Sequence, residues 1–399
     1  MDLAWVSVGA LVLAVGLSCT TAVNVGVLAI SMAWLVGVYL GDMSVGTVLE
    51  GYPTTLLVTL IGVTLLFSVA NCNGTLTRIT ARAVRICRGN AGLLPIIFFF
   101  LGMLVATIGP GGTPTSALMA PPAMAVAARA GISPFLMAIM AGNGALAGTL
   151  SPFAPTGIVA NGVMERIGLG GVEWYTYGYN ALAHAAVAFA GFVLFGGLGL
   201  FKKGSVVGTV GDDMAQMESK HWLTLAGIVV FIAAVAGFGT HVGMTGLTIA
   251  ALLVLLRTVD ERQAIQGIPW GVILMVTGVT VLVSILERTK GLDLFTTALA
   301  GISTPESLAP IVAFGSGIVS VYSSTSGVVL PAFLPLVPSL TESVGNVEAL
   351  PIAWSMNVGA SLVDMSSLST VGALFLAAAP AGTDTRIMFN ALLAWGLSM

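Results

Sequence analysis

Residues 144–157 read GALAGTLSPFAPTG and residues 359–372 read GASLVDMSSLSTVG, two runs of small, hydroxylated and proline residues set 215 positions apart inside apolar stretches. Hydrocarbon offers no hydrogen-bond partners, so non-helical backbone at membrane depth is tolerated only where protein buries it or where it lines a wet cavity. Pro152 and Pro155 cannot continue the helix before them, and Gly148 and Gly157 admit close approaches that larger residues resist. In the second run Ser366, Ser367, Ser369 and Thr370 can supply oxygens to the freed backbone. Each run therefore reads as a helix broken inside a membrane.

The composition requires that setting. Over 399 residues, 57% are hydrophobic, 8% are charged and the mean hydropathy is +1.01, whereas about a quarter of a soluble domain is charged. A net charge of -3 from 14 basic and 17 acidic residues leaves no basic face, so nucleic acid is excluded as a partner. Cys19, Cys72 and Cys87 are odd in number and lack metal-ligand spacing, so they are expected to pack as small apolar residues, and no cofactor is expected. The N-terminus, apolar from Leu3, reads as a first membrane helix and not as a removable signal.

A bilayer crossing needs about 20 apolar residues. Such runs fall near 3–18, 22–40, 54–71, 133–165, 178–201, 222–239, 241–257, 268–286, 348–379 and 382–398, giving ten expected crossings. The stretches 92–129 and 306–340 are too long for one helix and are interrupted by GPGGTPTS (109–116) and YSSTSG (322–327), so each reads as a re-entrant hairpin. Starting outside and alternating sides, cytoplasmic loops hold Arg78, Arg82, Arg85, Arg88, Arg129, Lys202, Lys203, Lys220, Arg257, Arg262 and Arg386. Outer loops hold Arg166, Arg288 and Lys290, a split of 11 against 3 of the 14 bases that satisfies the positive-inside rule and puts both termini outside. The segment TRITARAVRICRG around Arg78–Arg88 reads as an interfacial helix whose partners are lipid headgroups.

The chain also repeats itself. GVTLLFSV (62–69) returns as GVTVLVSI (278–285) and TPTSALMAP (113–121) as SSTSGVVLP (323–331); with the two broken runs, the shifts are 216, 210 and 215 residues. Halves of five crossings and one hairpin follow, residues 1–201 and 222–399, joined by a cytoplasmic linker at 202–221. Because five is odd, the second half enters from the opposite side. The expected fold is thus an all-α integral membrane protein of inverted-topology repeats, with about ten transmembrane helices, two re-entrant hairpins and helices broken near the midplane. Each of the four interruptions starts a half-helix whose N-terminus carries roughly half a positive charge, and four sum to roughly two, a seat for a small dianion that needs no Lys or Arg. The matching C-terminal carbonyls suit a cation.

The stretches NVGVLAISMAWLVGVYLGDMSVGTVLEGYP (24–53) and LLVTLIGVTLLFSVANCNGTL (56–76) resemble the N-terminal region of MatC-type malonate/dicarboxylate carriers, which are similar to the divalent anion/sodium symporters. The resemblance implies a homodimeric, elevator-type carrier in which a Ser-Asn-Thr motif at each hairpin tip contacts substrate and sodium. Here the tips read Gly112-Thr113-Pro114-Thr115-Ser116 and Ser323-Ser324-Thr325-Ser326, so the asparagine is missing from both. Counted back from Pro121 and Pro331, Thr113 pairs with Ser323 and Thr115 with Thr325. The expected substrate ligands are Thr113, Thr115, Ser116, Thr156, Ser323, Ser324, Thr325, Ser326, Ser369 and Thr370. The expected coupling-ion residues are Asn143, Gly144, Gly148, Ser151, Asn357, Gly359, Asp364 and Ser366, with Asn143 and Asn357 placed to replace the lost amide.

Asp364 stands where the first half has Thr149. An ionisable residue inside a membrane usually faces a cavity or pathway, so Asp364 reads as a sodium ligand, a proton carrier or a carboxyl kept neutral in a dry pocket. His184, a lone histidine in an apolar helix, reads as a packing or hydrogen-bonding residue outside the site. No H-E-x-x-H, G-x-S-x-G or paired intramembrane aspartate is present, so an enzyme is not expected. The expected function is Na⁺-coupled symport of a small dicarboxylate across a bacterial inner membrane. The alternatives are proton-coupled or exchange transport of another anion, and a Na⁺/H⁺ antiporter.

Overall fold

The computed structural model describes residues 2–21, 23–79, 90–202, 216–322, 324–345 and 347–399. The protein is all-helical, at 78% helix with no strand among the described residues. The basic segment beyond Arg78, the linker over 203–215 and Ser323 lie outside the described residues. Along the chain the longer helices are α1 (Leu3–Thr20), α2 (Val25–Trp34), α3 (Thr54–Cys72), α4 (Leu93–Thr107), α5 (Gly112–Ala130), α6 (Pro134–Ala147), α7 (Pro155–Arg166) and α8 (Glu173–Leu194). They continue as α9 (Ser219–Phe238), α10 (Val242–Leu255), α11 (Trp270–Arg288), α12 (Gly291–Ala300), α13 (Leu308–Tyr322), α14 (Val337–Ser343), α15 (Ala349–Leu362), α16 (Thr370–Ala377) and α17 (Thr385–Ser398). Several starts are set by local chemistry: the Asp2, Asn24 and Asp384 carboxyl or amide oxygens accept from the first free N–H groups of α1, α2 and α17.

Among the described residues, four helices are long and apolar enough to cross a membrane: α3, α8, α11 and the span Ala349–Ala377. A fifth is counted if Leu308–Val321 and Thr325–Ser343, bent by 119°, form one span. Six shorter apolar helices accompany them.

The chain folds as two compact units that each draw on both halves of the sequence. The first comprises Met1–Val58, Val159–Glu173 and Pro269–Ser361. In it α2 and α11 touch backbone to backbone, since a Cβ on Gly26 would lie 1.8 Å from Leu274 O and one on Gly278 2.2 Å from Gly26 O. Likewise α15 rests on α13, where a Cβ on Gly359 would lie 2.3 Å from Ala313 O, and Ser316 Oγ donates to Met356 O at 3.2 Å. Small residues at these crossings let helices approach closely, which drives association where lipid removes the hydrophobic term.

The second unit comprises Thr59–Ile158, Trp174–Ile268 and Leu362–Met399. Its core packs α4, α5, α6 and α16 through Phe98, Phe99, Met119, Met137, Met140 and Phe375. A Cβ on Gly144 of α6 would lie 2.2 Å from Phe99 O of α4, and one on Gly62 of α3 would lie 1.9 Å from Gly243 O of α10. These contacts echo those of the first unit: Gly144 and Gly359 are 215 residues apart, Phe99 and Ala313 214, Gly62 and Gly278 216, and Gly26 and Gly243 217.

Broken helices and hairpin tips as the candidate functional site

Both expected interruptions of helix are present, and they are built the same way. In the first, α6 ends at Ala147 and α7 begins at Pro155; in the second, α15 ends at Leu362, a short turn covers Val363–Met365, and α16 begins at Thr370. The Ser151 N–H donates to Gly148 O (3.2 Å) and the Ala154 N–H to Ser151 O (3.0 Å). In the second break, the Ser366 N–H donates to Val363 O (2.8 Å) and the Ser369 N–H to Ser366 O (3.0 Å). The hydroxyls match too: Ser151 Oγ accepts the Phe153 N–H at 3.2 Å and Ser366 Oγ the Leu368 N–H at 3.1 Å. Each loop folds back over the following helix, where a Cβ on Gly157 would meet Ser151 O at 2.0 Å and one on Gly372 would meet Ser366 O at 2.1 Å. The repeated glycine and serine are thus required by one turn made twice.

In the second unit the turn between α4 and α5, expected as the first hairpin tip, is bonded to the first break. The Gly112 N–H, opening α5, donates to Thr149 Oγ1 at 3.2 Å, and Ser151 Oγ donates to Thr107 O at 2.7 Å. The second break packs on the same helix pair, with Met365 against Gly142 of α6. Thr115 and Ser116 on the first turn of α5 are fully buried, and neither hydroxyl has a hydrogen-bond partner among the described residues. Thr113 and Thr370 are exposed, and Thr156, Asp364 and Ser369 are half-buried. Ser369 Oγ donates to Asp364 Oδ1 at 3.3 Å. Gly144 and Gly148 are buried and serve close packing; a Cβ on Gly148 would lie 2.6 Å from Met103 O. The Ser151 hydroxyl is engaged as acceptor and donor, with the Phe153 N–H and Thr107 O, while that of Ser366 accepts the Leu368 N–H.

The first unit holds the second tip. There the chain makes a π turn over Thr325–Val329, a distortion frequent at functional sites. Ser324 Oγ caps it by accepting the Gly327 N–H at 3.0 Å, while the half-buried Ser326 lies inside the turn. Thr325 is tied to Ser320 Oγ and donates to Ala360 O of α15 at 3.3 Å. Asn357 on α15 donates from Nδ2 to Met164 Sδ of α7 at 3.4 Å, and its buried Oδ1 has no partner among the described residues.

Asn161 and Asn180 escaped the sequence reading, which names Thr149 only as the counterpart of Asp364 and His184 as a packing or hydrogen-bonding residue outside the site. Thr149 joins tip to break, and Asn161 of α7 has both carboxamide atoms buried without a partner among the described residues. Asn180 Nδ2 donates to Leu146 O at 2.9 Å, and His184, read as lying outside the site, is hydrogen-bonded through Nδ1 to Asn143 Oδ1 at 2.8 Å. The available signal was periodicity: Gly157, Asn161 and Met164 share a face of α7, and Asn180 and His184 share one of α8. No group of three or more His, Cys, Asp or Glu able to hold a metal occurs among the described residues. A pocket of about 290 Å³ lined by Pro121, Met124, Ala125, Ala378 and Pro380 is apolar and offers an anion no donor.

Helices long and apolar enough to cross a membrane, one of them the interrupted span Ala349–Ala377, are those of an integral membrane protein. Residues 1–149 match the family described as the dicarboxylate carrier protein MatC N-terminus, so this part of the chain is similar to that family. The match runs from α1 to Thr149 at the first break, so it includes the first hairpin tip. No curated protein matches the chain.

Proposed function

We propose that the protein is a secondary active transporter of a small dicarboxylate, a three- or four-carbon dianion such as malonate or succinate. Transport is symport with Na⁺, by elevator-type alternating access in a homodimer of the bacterial inner membrane. The observation that carries the reading is the pair of breaks that share one turn, the first of them hydrogen-bonded to the start of α5, in a chain whose first 149 residues are MatC-like.

Several features support the finer parts. The glycine contacts and break turns recurring at 214–217 residues favour a two-fold repeat, and an odd number of crossings per half inverts it. For ten crossings and two re-entrant hairpins, the support is the 11 to 3 distribution of basic residues, together with six shorter apolar helices beside the four or five of spanning length among the described residues. For the dianion, the free hydroxyls of Thr115 and Ser116 lie at a helix N-terminus, where donors and dipole both favour negative charge. For the cation, Asn357 is oriented by its donation to Met164, which leaves an oxygen that an acceptor-only dicarboxylate cannot satisfy and a cation can. Asp364, in the second break, supplies a negative charge for a coupling cation.

Uptake of labelled malonate, succinate and citrate into proteoliposomes under separate Na⁺ and pH gradients tests the reading. Accumulation of malonate or succinate driven by Na⁺ is expected. Uptake driven by pH alone identifies the proton-coupled alternative, and absence of uptake of any dicarboxylate overturns the proposal. At the tips, Thr115→Ala and Thr325→Ala should each raise the KM for the dicarboxylate, by about 10-fold for the loss of one hydrogen bond to a charged group. They should differ in stability. Thr115→Ala removes a partnerless hydroxyl and should leave the melting temperature unchanged, whereas Thr325→Ala breaks the link to Ser320 and Ala360 and should lower it.

A further inference from the structure

The helix α8 is apolar on its outer side, where Trp174, Tyr175, Tyr179, Leu182 and Leu194 are exposed, yet its inner face carries polar groups at helical spacing. Tyr177, Asn180 and His184 stand at i, i+3 and i+7 and so line one stripe. Each is bonded to a different group at or beside the first break: Asn180 to backbone carbonyls, Tyr177 and His184 to side chains. The Tyr177 hydroxyl is bonded to Thr107 Oγ1 at the first tip, at 3.1 Å. Asn180 Nδ2 bridges the Leu146 and Ala147 carbonyls, the last of α6 before the break, at 2.9 and 3.3 Å. The last carbonyls of a helix lack i+4 donors; the Leu146 carbonyl already accepts the Thr149 N–H at 3.0 Å, and the Asn180 carboxamide adds a donor to it and to the Ala147 carbonyl. At the far end Asn143 Nδ2 donates to Ile139 O at 2.9 Å, which fixes the amide so that Oδ1 faces His184. The imidazole must then carry its proton on Nδ1 and donate it. Asn180, His184 and Asn143 are all fully buried.

The second half has no such stripe. Shifted by 215 residues, the three positions become Leu392, Trp395 and Met399. Leu and Met cannot donate a hydrogen bond, and Trp395 Nε1 has no partner among the described residues. There α17 meets the second break through Gly396, where a Cβ would lie 2.6 Å from Ser366 Cα.

We infer that α8 is a polar splint that holds the first tip and first break in binding geometry, with Asn180 and His184 as positioning residues for substrate, while the second break stays unsplinted and adaptable. The inference rests on the carrier reading for its ligand. It gives the two halves unequal tasks: a rigid half-site around Thr149 and Ser151, and a yielding one around Asp364 and Ser366.

The test uses the full chain in proteoliposomes. His184→Leu and Asn180→Leu should raise the KM for malonate or succinate about 10-fold with the maximal rate within about 3-fold, because the site is misplaced and not dismantled. His184→Asn places an amide donor where Nδ1–H stood and should restore KM, and Trp395→Phe should change nothing. If both leucine variants bind and transport with unchanged KM and only melt earlier, the polar stripe is mere packing and the inference falls. Hydrogen exchange on the wild-type protein gives a second measurement should the variants not fold. Amides of 149–157 should exchange at least about 10-fold more slowly than those of 364–372, and equal exchange overturns the inference. A wild-type protein that takes up no dicarboxylate sinks the carrier reading, while the exchange contrast still decides the splint.

Discussion

Asp364→Asn is expected to cut Na⁺-driven uptake by about 100-fold or more while leaving the melting temperature nearly unchanged. The amide is isosteric with the carboxylate and retains an oxygen for the Ser369 hydroxyl, 3.3 Å away, so packing at the second break is preserved. What disappears is the charge. At an effective dielectric of about 20, two unit charges some 4 Å apart attract by about 4 kcal/mol, and each 1.4 kcal/mol is tenfold in affinity. Part of that is offset by desolvation, which leaves about two decades. The side chain would otherwise repel a dianionic substrate, so the carboxylate makes sense in the site only with a cation or proton beside it. Uptake under imposed Na⁺ gradients, with binding followed separately, provides the measurement. A variant that keeps its Na⁺ dependence and rate takes Asp364 out of the coupling mechanism.

Gly144→Ala and Gly359→Ala are each expected to destabilise the protein by about 1–3 kcal/mol, through overpacking where backbone meets backbone. In a helix interior alanine is ordinarily better than glycine by about 1 kcal/mol, so the sign itself is informative. The added methyl would sit 2.2 Å from Phe99 O in one case and 2.3 Å from Ala313 O in the other, and a carbonyl on a packed helix cannot step aside. Gly178→Ala, on α8, supplies the control: no atom lies within 4 Å of its Cβ position, so it should be neutral or stabilising. Thermal unfolding in detergent reads all three. If Gly144→Ala and Gly359→Ala melt at or above the wild-type temperature, these helix crossings are looser than described.

The two helix interruptions were legible in the residues because their chemistry is local. Pro152, Pro155, Gly157 and Gly372 announce an interrupted helix wherever they sit in a hydrocarbon setting, and the breaks occur at those places. The candidates divide when their bonds are followed. The hydroxyls of Ser151 and Ser366 complete a backbone turn, Ser324 caps the π turn, and Asn143 is occupied on both its oxygen and its nitrogen. Thr115, Ser116 and Asn357 keep atoms without protein partners among the described residues. A single sequence lists polar residues at a break but does not say which are used up by the fold and which remain for a ligand, because hydrogen bonds between helices far apart in the chain decide it.

The amino-acid order alone determined the lipid environment, the helical class, the two interruptions and the 215-residue echo between them. Each follows from the cost of unpaired backbone in hydrocarbon and from what proline and glycine permit locally. Tertiary structure alone decided the assembly. It drew each compact unit from both halves, set Thr149 under the first tip, and turned His184 and Asn180 inward onto the first break. Those outcomes depend on which helix faces lie against each other, and helical periodicity can group residues on a stripe without saying what the stripe will touch.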